Sequence, residues 1–177
     1  MKITHLLFAL SAAAFLVAAP ALQAQKKQSK VENLKGKSFQ GTNNYEVETI
    51  GVGTEGTKSL KVWAYGKKVD DAVQLAKKCA VTACVFRGLP AGDKVLATPP
   101  LCENPDPKWD AFFEAFFADG GEYLNYVNLT SDGLPSGQDR LKTKKGYKVG
   151  VYVQVLHDRL RKRLEQEGVI DSMNSWF

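Results

Sequence analysis

Residues 147–155, YKVGVYVQV, alternate without a break: Val149, Val151, Val153 and Val155 fall on one side, Lys148, Gly150, Tyr152 and Gln154 on the other. Only an extended strand places every second side chain on the same face, so this stretch commits the chain to a sheet with one apolar face and one polar face. A row of four valines must be covered, which calls for further strands beside it and helix above it. A second stretch, KSLKVWAYG, repeats the pattern, with Leu60, Val62 and Ala64 set against Lys61, Trp63 and Tyr65. NYEVETIGVG precedes it across the turn TEGT, and the two segments read as a β-hairpin.

Gly51, Gly53 and Gly56 have the spacing of a dinucleotide-binding G-x-G-x-x-G. That chemistry needs a helix directly afterwards, whose N-terminal amides receive the pyrophosphate. A strand follows instead, so these glycines are assigned to turn and bulge geometry. The GKS of Gly36 to Ser38 lacks the phosphate loop's earlier glycine, since Val31 stands there.

Asp70 to Phe86 reads as a helix, with Asp70 and Asp71 at its positive end and Gly88-Leu89-Pro90 as its stop. Ala72, Val73, Ala76, Ala80, Ala83 and Cys84 share one face of small side chains, which lets a helix lie close on a sheet. KVLAT is a candidate short strand, PPLCENPDP a connection, GEYLNYVNLTS a strand and DGLPSGQDR an exposed loop. HDRLRKRLEQEG reads as a helix with a narrow Leu156, Leu160, Leu164 edge; Arg161–Glu165 and Arg163–Glu167 stand four apart, and Gly168 ends it. The order of elements predicts an α+β fold: an antiparallel or mixed sheet with helices mainly on one face.

The first 24 residues have one cation at Lys2, an apolar run from Leu6 to Val17 and small residues before Gln25, the layout of a secretory signal too short to span a bilayer. Cleavage is expected after Ala21 or Ala24, and no cysteine follows to carry a lipid. Residues 25–40 read as a flexible basic arm, with five lysines between 26 and 37, and residues 41–177 as a single α+β domain. The expected location is periplasmic or secreted, with no transmembrane segment in the mature chain. With a net charge of only +5 before cleavage, nucleic acid is not an expected partner of an exported chain.

Three cysteines, Cys79, Cys84 and Cys102, leave one thiol over in an oxidising compartment. Cys79 and Cys84 lie about 140° apart on a helix and cannot bond within it, so Cys102 with Cys79 or Cys84 is the disulfide candidate, against the alternative of three small buried thiols. The single histidine of the mature chain, His157, and the absence of Cys-x-x-Cys give no metal set and no cofactor, and His157 at a strand-to-helix junction reads as structural.

KVWAYG followed by DDAVQLAKKCAVTACVFRG resembles the strand-helix unit of bacterial envelope proteins such as the N-terminal domain of flagellar assembly protein T and the related small LPP-type lipoproteins, over residues 58–90. The resemblance implies a non-enzymatic envelope component.

WDAFFEAFFADGGEY sets Trp109, Phe112, Phe113, Phe116 and Phe117 within about 140° of a helical wheel. Three uses compete: core, a pocket for an apolar or aromatic ligand, and a face for a partner or membrane. Acidic Asp110, Glu114 and Asp119 on the far side disfavour the membrane, and aromatics of about 150–250 Å² each favour the core. As binding residues the candidates are Trp109, Phe113, Phe116 and Phe117, joined by Trp176 and Phe177 at the end of the chain as either a docked turn or an exposed handle. No catalytic residue is assigned. Asp119 and Glu122 beside Tyr123 and Tyr126 are the nearest to a hydrolase cleft, and their spacing does not set them apart from ordinary surface residues. The sequence therefore points to an exported, non-enzymatic envelope protein with an envelope protein partner, and second to a binding protein for a small apolar ligand.

Overall fold

The structure, a computed structural model, describes residues 44–131 and 133–172, all within one compact unit. The signal-like segment, the basic arm, Trp176 and Phe177 lie outside the described residues.

Strands β1 (Glu46–Val52) and β2 (Lys58–Gly66) form the expected hairpin, with Glu46 opposite Trp63 and Thr49 opposite Leu60. The register slips between Thr49 and Gly51, and the connecting turn takes positive φ at Glu55 and Gly56, so these glycines serve bulge and turn. The valine-rich segment is β5 (Gly146–Val155), antiparallel to β2 from Lys58 opposite Val155 to Gly66 opposite Tyr147. Its other edge carries β4 (Arg140–Thr143) along the first half and β3 (Val127–Leu129) along the second. The sheet is antiparallel throughout, in the order β1-β2-β5-β3, and the fold is α+β.

Leu60, Val62 and Ala64 of β2 and all four valines of β5 are buried on one face. Helix α1 (Val69–Thr82) lies across β2 and β5 on Ala72, Ala76 and Ala80, and the main chain closes in so far that a side chain at Gly66 would press on the amide of Ala72. The amide of Lys68 donates to Asp71 (3.1 Å), which caps the helix start. The helical run continues to Arg87 as a π-turn, Ala83–Arg87, whose wider spacing keeps Ala83, Cys84, Val85 and Phe86 all buried. Helix α3 (His157–Glu167) drives Leu160 and Leu164 fully into the same core, and Gly168 ends it with φ 79°. Each such leucine contributes roughly 1.5–3 kcal/mol of burial.

Three expectations change. GEYLNYVNLTS is a strand only over Val127–Leu129; Glu122–Tyr126 winds as a 3-10 turn that turns Tyr123 into the core. KVLAT forms only the isolated bridges Leu89–Thr98 and Gly92–Val95. Arg140–Thr143, at the end of the expected loop, is the strand β4.

Candidate functional site

The aromatic segment forms a 3-10 turn, Pro107–Trp109, held by Asp106 accepting from the Lys108 amide (3.0 Å), and then the short helix α2 (Asp110–Phe116). Phe113, Phe116 and Phe117 are 0%, 2% and 1% exposed, which makes them core residues and withdraws them as a surface for a partner. They join the same core as the sheet's buried residues and pack on other rings: Phe86 meets Phe113 edge-on at 4.9 Å, Phe116 meets Tyr126 at 5.8 Å and Phe117 meets Tyr123 at 5.9 Å. Trp109 is half-buried against Phe112 (6.5 Å) with Lys108 over its ring.

Glu122 is engaged structurally. It accepts from Arg163 Nε (2.7 Å) and from the Tyr126 hydroxyl (3.0 Å), and the Arg163 hydrogen bond holds its carboxyl below the ordinary glutamate range. Arg163 also reaches Glu167 (2.6 Å) and lies over Phe112 (5.5 Å), closing the solvent side of the aromatic cluster. A carboxylate pinned by a guanidinium stays charged through neutral pH and makes a poor general acid.

Cys79 and Cys84 are buried thiols, both pushed up to about 12 by burial, and neither is in a disulfide. Of the two readings of the cysteines, a bond from Cys102 to one of them or small buried thiols, Cys79 and Cys84 follow the second. The helix turns both thiols into the apolar core, where they pack as small hydrophobic groups, while the Cys102 amide donates to the Val85 carbonyl (2.7 Å). His157 is buried, which lowers its pKa, and its Nε2 has no hydrogen-bond partner. Among the described residues no cluster of histidine, cysteine and carboxylates is placed to hold a metal ion.

The side of the sheet opposite the valines carries a different assembly. Antiparallel register sets Trp63 across from Gly150, Lys61 across from Tyr152 and Tyr65 across from Lys148, and all but Gly150 are half-buried. The Trp63 indole lies over Gly150, where a Cβ would stand 3.1 Å from two of its ring carbons. Its Nε1 donates to Glu48 (3.1 Å) on β1. Lys61 sits 4.7 Å from the Trp63 ring and 5.0 Å from that of Tyr152, with its ammonium 2.8 Å from Asp139. Lys148 sits 5.2 Å from Trp63 and 5.7 Å from Tyr65, with its ammonium 2.8 Å from Glu46. The hydrogen bonds to Asp139 and Glu46 raise the two lysines above their ordinary value. Exposed cation–π contacts of about 0.5–1 kcal/mol each, repeated over one indole, help to fix its position. Tryptophan and tyrosine are enriched where proteins meet, whereas lysines and carboxylates belong to the rim of such a surface.

The alternation of Lys61, Trp63 and Tyr65 was visible in sequence; their union with Gly150 and Tyr152 depends on the β2–β5 register, which no local pattern sets. Comparison with family models, with curated proteins and with solved structures found no match. Among the described residues no helix is long and apolar enough to cross a membrane.

Proposed function

We propose that this chain is a non-enzymatic binding protein, exported by its signal-like N-terminus, that docks another envelope protein on the polar face of its sheet. The observation that carries this reading is the preset Trp63, held over Gly150 between Lys61 and Lys148 and left half-exposed. The neighbouring charges are already matched in pairs, so a partner that covers them meets little net charge and does not strand an ion. Rigid aromatic rings lose little conformational freedom on binding, which makes this face an efficient anchor. The location and the non-enzymatic character rest on the sequence pattern and the resemblance over residues 58–90.

The test is site-specific photocrosslinking from position 154, beside Tyr152 on the same face, in cells of the native host. A single protein should be captured, and W63A/Y152A should abolish its capture at unchanged protein level. Capture that is unaffected by the double substitution would remove the sheet face from the function.

A further inference from the structure

A second surface lies at the end of β2, where the chain leaves the sheet at Gly66. Gly146, the first residue of β5, has φ +144°, and a Cβ there would collide with the carbonyl oxygen of Gly66. Because Gly146 has no side chain the two backbones touch, and the β4–β5 turn is drawn against the residues that follow β2. The contact shapes a cleft of about 500 Å³ with Tyr65 and Tyr147 among its walls, Lys67, Lys144 and Lys145 around it, and the neutral polar side chains of Asn44 and Thr143 between them.

The lysines of this cleft differ from those on the sheet face. Lys61 and Lys148 are each matched by a carboxylate, whereas Lys67, Lys144 and Lys145 are exposed and have no ion-pair partner among the described residues. Arg140 adds a further cation, 5.0 Å over the Tyr147 ring. Unmatched cations grouped around a concavity repel one another and concentrate a positive field in it, so an anion bound there relieves the repulsion. The chain's own preceding segment is a poor source of that anion, because residues 26–37 hold five lysines against one glutamate.

The geometry points to this cleft as a binding site for an acidic sugar, specifically a uronic acid unit of an anionic polysaccharide. The three ammonium groups receive its carboxylate and those of neighbouring units, the tyrosine rings offer apolar surface to the pyranose, and Asn44 and Thr143 offer hydrogen bonds to its hydroxyls. A single-stranded nucleic acid is the poorer match, since it needs successive open rings for its bases. Trp63, the largest ring nearby, is not among the residues that line the cleft.

Titration calorimetry of the full chain at low salt with polygalacturonate oligomers tests the site, with the methyl-esterified oligomer, polyglutamate and oligothymidylate as comparisons. Polygalacturonate should bind, the esterified form should not, and the other two polyanions should bind more weakly at equal charge. K67Q/K144Q/K145Q should weaken polygalacturonate about tenfold, the sum of three exposed ion pairs of ordinary strength, with an unchanged melting curve. W63A should leave this affinity unchanged, so the cleft and the protein-docking face succeed or fail separately. Absence of binding, undiminished binding by the triple variant, or equal or tighter binding of polyglutamate or oligothymidylate would overturn the assignment.

Discussion

Replacing Phe113 with alanine removes the ring at the centre of the aromatic cluster. Its side chain is fully buried, with Phe86 at 4.9 Å, Phe112 at 5.2 Å and Phe117 at 6.4 Å. Truncating a buried phenylalanine costs about 3–5 kcal/mol, from lost transfer energy and the cavity left behind. The upper half of that range is expected, because three ring–ring contacts worth about 0.5–1.5 kcal/mol each disappear together. The neighbours cannot close the gap easily: Phe86 is fixed in the π-turn, and Phe117 is also held by Tyr123 at 5.9 Å. For a unit of this size the loss lowers Tm by roughly 10–20 °C. Urea unfolding followed by tyrosine and tryptophan emission measures it, with the half-buried Phe112→Ala as the milder comparison. A loss below about 1 kcal/mol for Phe113→Ala, with two-state unfolding preserved, would mean that the cluster is loosely filled and that the core assignment is wrong.

His157 is held neutral by burial, so its contribution to stability is complete above its unfolded pKa of about 6.5 and declines as pH falls below that toward its depressed folded value. Urea midpoints across mildly acid pH should show this loss in the parent and a flatter profile in His157→Gln; identical profiles would refute it. Breaking the Arg163–Glu122 pair with Arg163→Ala should cost about 0.5–1.5 kcal/mol, kept modest because both side chains are about a third exposed. Glu122, lowered by Arg163, contributes above its unfolded pKa of about 4.3 and loses that as pH falls further, so the variant should also unfold with a shallower acid dependence. Gly146→Ala should cost at least about 1–3 kcal/mol, because it meets both an unfavourable φ and the Gly66 carbonyl, and a crystal structure of the variant should show the β4–β5 turn displaced.

The elements that were legible in sequence are those whose local pattern and tertiary role agree. β2 and β5 alternate because one face of each is buried, and α3 shows its Leu160–Leu164 edge and its Gly168 stop for the same reason. β4 was not legible: Arg140, Leu141 and Lys142 are exposed, so no buried face imprints an alternation, and pairing with β5 alone holds the segment extended. Glu122–Tyr126 carries aromatics that favour a strand, yet Tyr123 and Tyr126 are needed by Phe117 and Phe116, and the 3-10 turn delivers them. The aromatic stripe reads as a helix with the core as its favoured use, and Phe113, Phe116 and Phe117 are buried there; the ring–ring pairs with Phe86, Tyr123 and Tyr126 are set by the tertiary fold. The sheet face and the lysine cleft were beyond sequence reading, because each unites residues from β2 and from the β4–β5 region through a register or a glycine contact that only the assembled sheet creates.

β5 is hydrogen-bonded along both edges, to β2 on one side and to β4 and β3 on the other, which makes the last strand of the described residues the middle of the sheet. Its nearest pairing with β2, Gly66 with Tyr147, closes a loop of about 80 residues. Folding is consequently expected in milliseconds to seconds rather than microseconds, limited by the search for that distant strand. A nascent chain that stops before Gly146 holds the β1–β2 hairpin, α1 and α2, but β3 and β4 lack the strand they pair with, the inner edge of β2 is unpaired, and Leu60, Val62 and Ala64 are short of their valine neighbours. Such a fragment has an open, apolar strand edge, the feature that exposes a chain to aggregation, so the sheet is complete only once β5 has been made.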